Sequence, residues 1–277
     1  MNKNKIKPKS GPFIINFEKN IIGFPKNLLL IKMLLLISIN SNLILSLSIN
    51  KKRNIILQSS SIKLKIEKSG KQKIYSNQTY ANCESVIIPD EIYINGENQT
   101  KIEYEYNFQL NNNEITLIWY NPLKYTNCMF RDCTTITEID LSNFDDSQLT
   151  QMKYMFRGCI SLKKIEMSNI KGYKVTDAGN LFSWCTKLET LDLANFQAPN
   201  NNYLHYMFAN CTSLISLNYP YINTNNAKNI SGIFDNCNNL KYINLDNAII
   251  KNEFISEFNI INSSHIICIH SQININN

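Results

Sequence analysis

Between Met129 and Leu245 the apolar positions recur with one period. Phe130, Phe156, Phe182, Phe208 and Phe234 are 26 residues apart, and so are Cys133, Cys159, Cys185, Cys211 and Cys237. Three residues after each cysteine comes Ile136, Leu162, Leu188, Leu214 or Leu240. Two further columns follow in step: Ile139, Ile165, Leu191, Leu217, Ile243, and Leu141, Met167, Leu193, Tyr219, Leu245. A fixed period of this length predicts stacked supersecondary units, each burying its apolar side against its neighbours.

Within a copy the period changes. Met152, Met155, Phe156 and Cys159 stand at i, i+3, i+4 and i+7, one stripe of a helix. Thr150 is placed to cap that helix and Gly158 falls near its end, so the helix should be two to three turns. After Cys159 the period drops to two, with Ile165 and Met167 inward and Glu166 outward, which predicts a short strand. One helix and one strand per copy give an α/β solenoid of about five 26-residue repeats over residues 121–250. Strands stack about 4.8 Å apart and helices roughly 8–10 Å, so the stack should curve with its strands on the concave side. The outward strand positions then line that face: Glu138, Asp140, Lys164, Glu166, Thr190, Asp192, Ser216, Asn218, Tyr242 and Asn244. These are the candidate ligand-binding residues. Asp140, Glu166 and Asp192 form one like-charged column that either meets a cation or basic ligand or is relieved by water and Lys163, Lys164 and Lys187. Past each strand, Asn143, Asn169, Asn195 and Asn247 should stabilise their own turns. Tyr219-Pro220-Tyr221 interrupts that column and is expected to expose two rings.

Met129-Phe130-x-x-Cys133, Ile139-Asp140-Leu141-Ser142-Asn143-Phe144-Asp145 and Leu149-Thr150-x-Met152-x-x-Met155-Phe156 resemble the BspA-like leucine-rich repeats, specifically the 26-residue-repeat surface proteins of bacteria and some protists. About 130 of the 277 residues carry the resemblance. It is weaker where Asn218-Tyr219-Pro220 and Asn244-Leu245-Asp246 replace the Asp-Leu-Ser pattern. The resemblance implies a surface or secreted protein for adhesion and recognition, without catalytic activity or cofactor.

The flanks divide the rest. Residues 54–120 carry no repeat and read as about five strands: Ser61–Glu67 alternates, Ile92-Tyr93-Ile94 runs into Asn95-Gly96, Ile102–Tyr106 alternates, and Ile115–Trp119 closes the segment. A β-rich N-terminal cap on the first repeat fits that position; a ligand-binding β domain is the other reading. Residues 251–277 read as a C-terminal cap, with Phe254, Phe258 and Ile261 at helical spacing, a strand near His265–His270 and a loose tail. In residues 1–50, Leu28–Ile49 is mostly apolar and lies between basic residues. It is either a signal peptide, with Met33 as a possible start, or an uncleaved signal anchor. Lys32 makes it a poor spanning helix. Residues 1–53 hold ten basic residues and one acidic, +9 of the chain's total of +6, which leaves −3 for residues 54–277. The basic balance belongs to the leader, and the body offers no footprint for nucleic acid.

The eight cysteines split in two. Five share the buried stripe and should be free thiols acting as small hydrophobes. Of the others, Cys83 and Cys128 are the candidate disulfide, tying cap to first repeat. There is no metal-ligand set. His205, expected on an exposed side, and His265 and His270 form no catalytic constellation. Asn77, Asn98, Asn229 and Asn262 are candidate glycosylation sites; Asn210, beside Cys211, is a poor one. The expectation is a secreted or cell-surface recognition protein with a protein or glycan ligand, touching membrane only through an uncleaved leader. An intracellular repeat scaffold is the alternative.

Overall fold

A computed structural model describes residues 38, 39, 41, 59–77, 83, 87–260, 267–269 and 274–275. The chain divides into two units, Met1–Arg53 and Asn54–Asn277. Nearly all of the expected leader lies outside the described residues, and so do His265, His270 and Asn262. No helix among the described residues is long and apolar enough to cross a membrane.

The second unit begins with six strands: β1 (Ser60–Ile66), β2 (Gly70–Lys73), β3 (Glu91–Ile94), β4 (Glu97–Asn98), β5 (Glu105–Phe108) and β6 (Asn113–Trp119). Asn95 and Gly96 both take positive φ, 51° and 85°, which is the backbone a two-residue hairpin turn between β3 and β4 requires. β5 begins later than the alternation of Ile102–Tyr106 suggests. The Tyr106 hydroxyl donates to the Lys101 carbonyl (2.7 Å) and accepts from the Glu103 amide (3.1 Å), which folds that segment into a turn.

Five 26-residue copies follow, with strands β7 (Ile136–Asp140), β8 (Lys164–Glu166), β9 (Thr190–Asp192), β10 (Ser216–Asn218) and β11 (Tyr242–Asn244). Each parallel pairing steps by 26 residues, as in Ile139↔Ile165 and Leu217↔Ile243. A second ladder of bridges runs Tyr125↔Gln151↔Asp177↔Tyr203↔Asn229.

Between these two ladders the expected helices are absent. The segment after each bridge is a run of tight turns in which alternate amides serve different coils. In the second copy Met155, Arg157 and Cys159 donate to the carbonyls three residues earlier, whereas Tyr154, Phe156 and Gly158 donate to Gly179, Leu181 and Ser183 of the next copy at 2.9–3.0 Å. A helix keeps its amides to itself and packs at roughly 8–10 Å. These turns are hydrogen-bonded to each other and so lie as close as the strands do. The spacing mismatch that would have put the strands on a concave side is therefore not present. Thr150 is likewise not a helix cap: its amide and hydroxyl both donate to the Lys124 carbonyl one copy back, at 2.8 and 3.0 Å.

The close spacing stacks identical side chains. The rings of Phe130, Phe156, Phe182, Phe208 and Phe234 lie 5.4–5.9 Å apart and within 18° of parallel. Each thiol from Cys159 to Cys237 donates back to the phenylalanine carbonyl of the preceding copy, at 3.0–3.3 Å. Burial pushes these thiols up, Cys133 and Cys237 to about 12, so all five ladder thiols are protonated and enclosed. Two of the column asparagines act between copies instead of within their own turn, with Asn195 Nδ2 donating to the Ser168 carbonyl at 2.7 Å and Asn169 donating to Ser142. Tyr219 is buried beside Phe196, so the Tyr-Pro-Tyr interruption exposes only Tyr221.

Both ends of the stack are covered. β1 pairs antiparallel with β7, so the cap and the first copies share one sheet of order β4-β3-β6-β1-β7-β8. A disulfide joins Cys83 to Cys128, with Cα atoms 6.0 Å apart. At the other end come β12 (Ile249–Ile250), α1 (Asn252–Ile260), β13 (Ile267–Ile269) beside β11, and β14 (Asn274–Ile275) beside β12, so the tail expected to be loose contributes a strand. Phe254 meets Phe234 edge-on at 6.0 Å.

Because Phe182 is fully buried in the middle of the ring column, Phe182→Ala should cost about 3–5 kcal/mol and Phe182→Leu clearly less. Urea unfolding of both variants measures this. Equal losses would show that the column is not packed as described.

Candidate functional site

The outward side chains of the strands fall into two rows. One row runs Glu114, Lys65, Glu138, Lys164 across β6, β1, β7 and β8, and its equivalents on the later strands are Thr190, Ser216 and Tyr242. The other runs Thr116, Lys63, Asp140, Glu166, with Asp192, Asn218 and Asn244 as its later equivalents. The face divides between β8 and β9, which touch but belong to separate sheets.

The N-terminal half is a charged groove of about 530 Å³. It gathers four of the expected residues, Glu138, Asp140, Lys164 and Glu166, with Lys63, Lys65, Glu114 and Thr116 from the cap. Lys65 Nζ lies 2.9 Å from Glu138 and 3.5 Å from Glu67, and Glu67 is also 2.9 Å from Lys163. Glu138 first, then Glu67, raises the Lys65 ammonium pKa, and Lys163 first, then Lys65, lowers that of Glu67. Hydrogen bonds from Ser168, including its amide at 2.8 Å, hold the Glu166 carboxyl below its ordinary value.

The C-terminal half is nearly uncharged. Thr190, Ser216 and Tyr242 present hydroxyls, and Asn244 Nδ2 donates to Asn218 Oδ1 (2.9 Å), whose Nδ2 donates to Asp192 Oδ1 (2.8 Å). The acidic column thus continues as an oriented amide chain ending on a carboxylate. Asp140, Glu166, Asp192 and Asn244 each also accept the amide two residues on. Among the described residues no group of three or more His, Cys, Asp or Glu is arranged to hold a metal ion.

The cap residues of this face are the part sequence reasoning missed. The alternation of Ser61–Glu67 is consistent with Lys63 and Lys65 facing outward, but nothing local showed that β1 pairs with β7 or that Glu114 belongs to β6. His205 is half-buried, not exposed, and burial lowers its pKa. Asn77, Asn98 and Asn229 are exposed, while Asn210 is partly buried with its Oδ1 accepting from Asn236.

Residues 124–247 match a known family model. Its description reads "Mycoplasma protein of unknown function, DUF285". The matched stretch covers most of the five-copy stack and leaves out the β-rich cap and α1. No curated protein and no solved structure matches the chain.

The amide chain yields a pH-dependent prediction. Asn218→Asp puts a carboxylate beside Asp192 and removes a donor, which should cost about 1–2 kcal/mol at neutral pH. The new carboxyl's pKa is raised in the folded state, so the loss is complete above that pKa and fades as pH falls toward about 3.5. The difference in urea stability between variant and wild type at the two pH values tests it. An unchanged difference would mean that the column is not electrostatically coupled.

Proposed function

We propose that the protein is a secreted or cell-surface recognition protein of the leucine-rich-repeat type, BspA-like in its repeats. It binds a macromolecular ligand through the strand face and does no chemistry on it. The observation that carries this reading is the face itself, two rows of side chains on strands held in two sheets, β8 closing one and β9 opening the other. Such a surface is rigid before binding, which lowers the ordering cost of association. Stacked repeats characteristically offer extended surfaces of this kind. The repeat match at residues 124–247 supports a surface-repeat protein, and the Cys83–Cys128 disulfide supports an oxidising compartment. The mixture of charges in the groove favours a protein ligand with both signs of charge over a polyanion.

Expression of the full chain in a eukaryotic secretory host, with and without glycosidase, tests the location. The expected result is a glycosidase-sensitive band in the medium, or on cells and removable by external protease if the leader is retained. An unglycosylated cytosolic band would overturn the extracellular reading in favour of an intracellular scaffold.

A further inference from the structure

The turns make an unusual demand at two positions of every copy. Cys128, Tyr154, Asn180, Tyr206 and Gly232 have φ between 54° and 62°, and Asp132, Gly158, Trp184, Asn210 and Asn236 between 57° and 74°. Left-handed backbone suits glycine and is tolerated by asparagine and aspartate, and six of these ten residues are of those kinds. Cys128 is held in the disulfide. The remaining three are Tyr154, Trp184 and Tyr206. A bulky aromatic residue in this region is an outlier, and outliers of this kind concentrate at functional sites.

Nor are these rings retained for the core. Trp184 is 48% exposed and Tyr206 42%, with Tyr203 37% exposed beside them. His205 stands between the two tyrosines, 6.3 Å from the Tyr203 ring and 6.0 Å from Tyr206, edge-on to both. Its buried Nδ1 has no hydrogen-bond partner. Two rings rest on glycines of neighbouring copies. A Cβ at Gly232 would collide with the Tyr206 ring, and one at Gly179 with the His205 imidazole. Tyr154 lies between the guanidinium groups of Arg131 and Arg157, at 5.2 and 5.6 Å, and Arg157 also donates to Asn180 Oδ1 at 3.2 Å. Tyr206 is therefore both exposed and held by its neighbours, Trp184 is exposed, and Tyr154 and His205 are half-buried beside them.

We propose that the turn side of copies two to four is a saccharide-binding platform, with Trp184 and Tyr206 as stacking rings and Arg157, His205 and Asn210 as polar partners. The C–H face of a sugar ring packs on the electron-rich face of an aromatic ring. Vicinal hydroxyls match the planar donors and acceptors of amide, guanidinium and imidazole groups. A protein partner would be expected to cover a continuous apolar centre, whereas here separate rings alternate with polar groups. The platform lies on the turn side and does not depend on the strand face.

The test is binding of the full-length chain to an array of neutral, sialylated and sulfated oligosaccharides, alongside Trp184→Asn/Tyr206→Asn, which installs the residue type that the same columns carry in other copies. Wild type should bind a defined saccharide class. The double variant should bind at least about ten-fold more weakly with a Tm unchanged or higher, since left-handed strain is relieved. No saccharide bound by wild type, equal binding by the variant, or loss accompanied by a lower Tm would each overturn the proposal. An Asp192→Ala/Tyr242→Ala strand-face control should bind as wild type does. If that control alone lost binding, the platform would fail while recognition through the strand face stood.

Discussion

Everything in the repeat region depends on the amides that each run of turns directs out of its own coil. Alternate N–H groups from one copy meet carbonyls of the next, at 2.8–3.0 Å from Phe130, Phe156, Phe182 and Phe208. Within the runs of turns these bonds run in one direction, from the earlier copy to the later, whereas the amides of Thr150, Thr176, Asn202 and Lys228 just before each bridge donate one copy back. The register is fixed along with the bonds, because a slip of one residue would set each donor against a peptide unit already bonded within its own coil, as Cys159 N–H is to the Phe156 carbonyl. A coil of constant length is the consequence, and the unbroken 26-residue spacing is its trace in the sequence.

A one-way ladder leaves unlike ends. The first copy has carbonyls without a preceding coil, and the cap answers with the Ser76 amide on the Met129 carbonyl (2.7 Å) and the Cys83–Cys128 bridge. The fifth copy has amides without a following coil. There α1 supplies Phe254 in place of a sixth stacked ring and brings the Glu257 carboxylate to the backbone of Gly232 and Ile233, which favours its charged form. Burial, and to a lesser degree Asp235, raises the pKa of the half-buried Glu257. Buried backbone groups must find partners, so the two caps differ in kind because the two ends present opposite groups.

The apolar columns and the short strands were legible in the sequence because period 26 and period two are local signals. The turn geometry was misread for a physical reason. Met152, Met155, Phe156 and Cys159 satisfy a helical stripe, yet consecutive three-residue turns bring the same positions inward. The discriminating signal was present in Asp132, Gly158, Asn180, Asn210, Gly232 and Asn236, which recur where left-handed backbone is needed. A helix interior would have no use for such residues at that spacing. The pairing of β1 with β7 was not legible, since nothing local in Ile62–Ile66 specifies a partner 70 or more residues away. Half of the candidate groove was missed with it. The turn-side rings were hidden for the same reason, because their exposure follows from the turns and not from a helical wheel.

Residue-resolved hydrogen exchange tests the ladder most directly. The account predicts that the amides of Phe156, Phe182 and Phe208, together with those of Tyr154, Asn180 and Tyr206, exchange only through global unfolding, with protection falling toward Gly232 at the end of the stack. Rapid exchange at these inter-coil amides in the folded protein would contradict it.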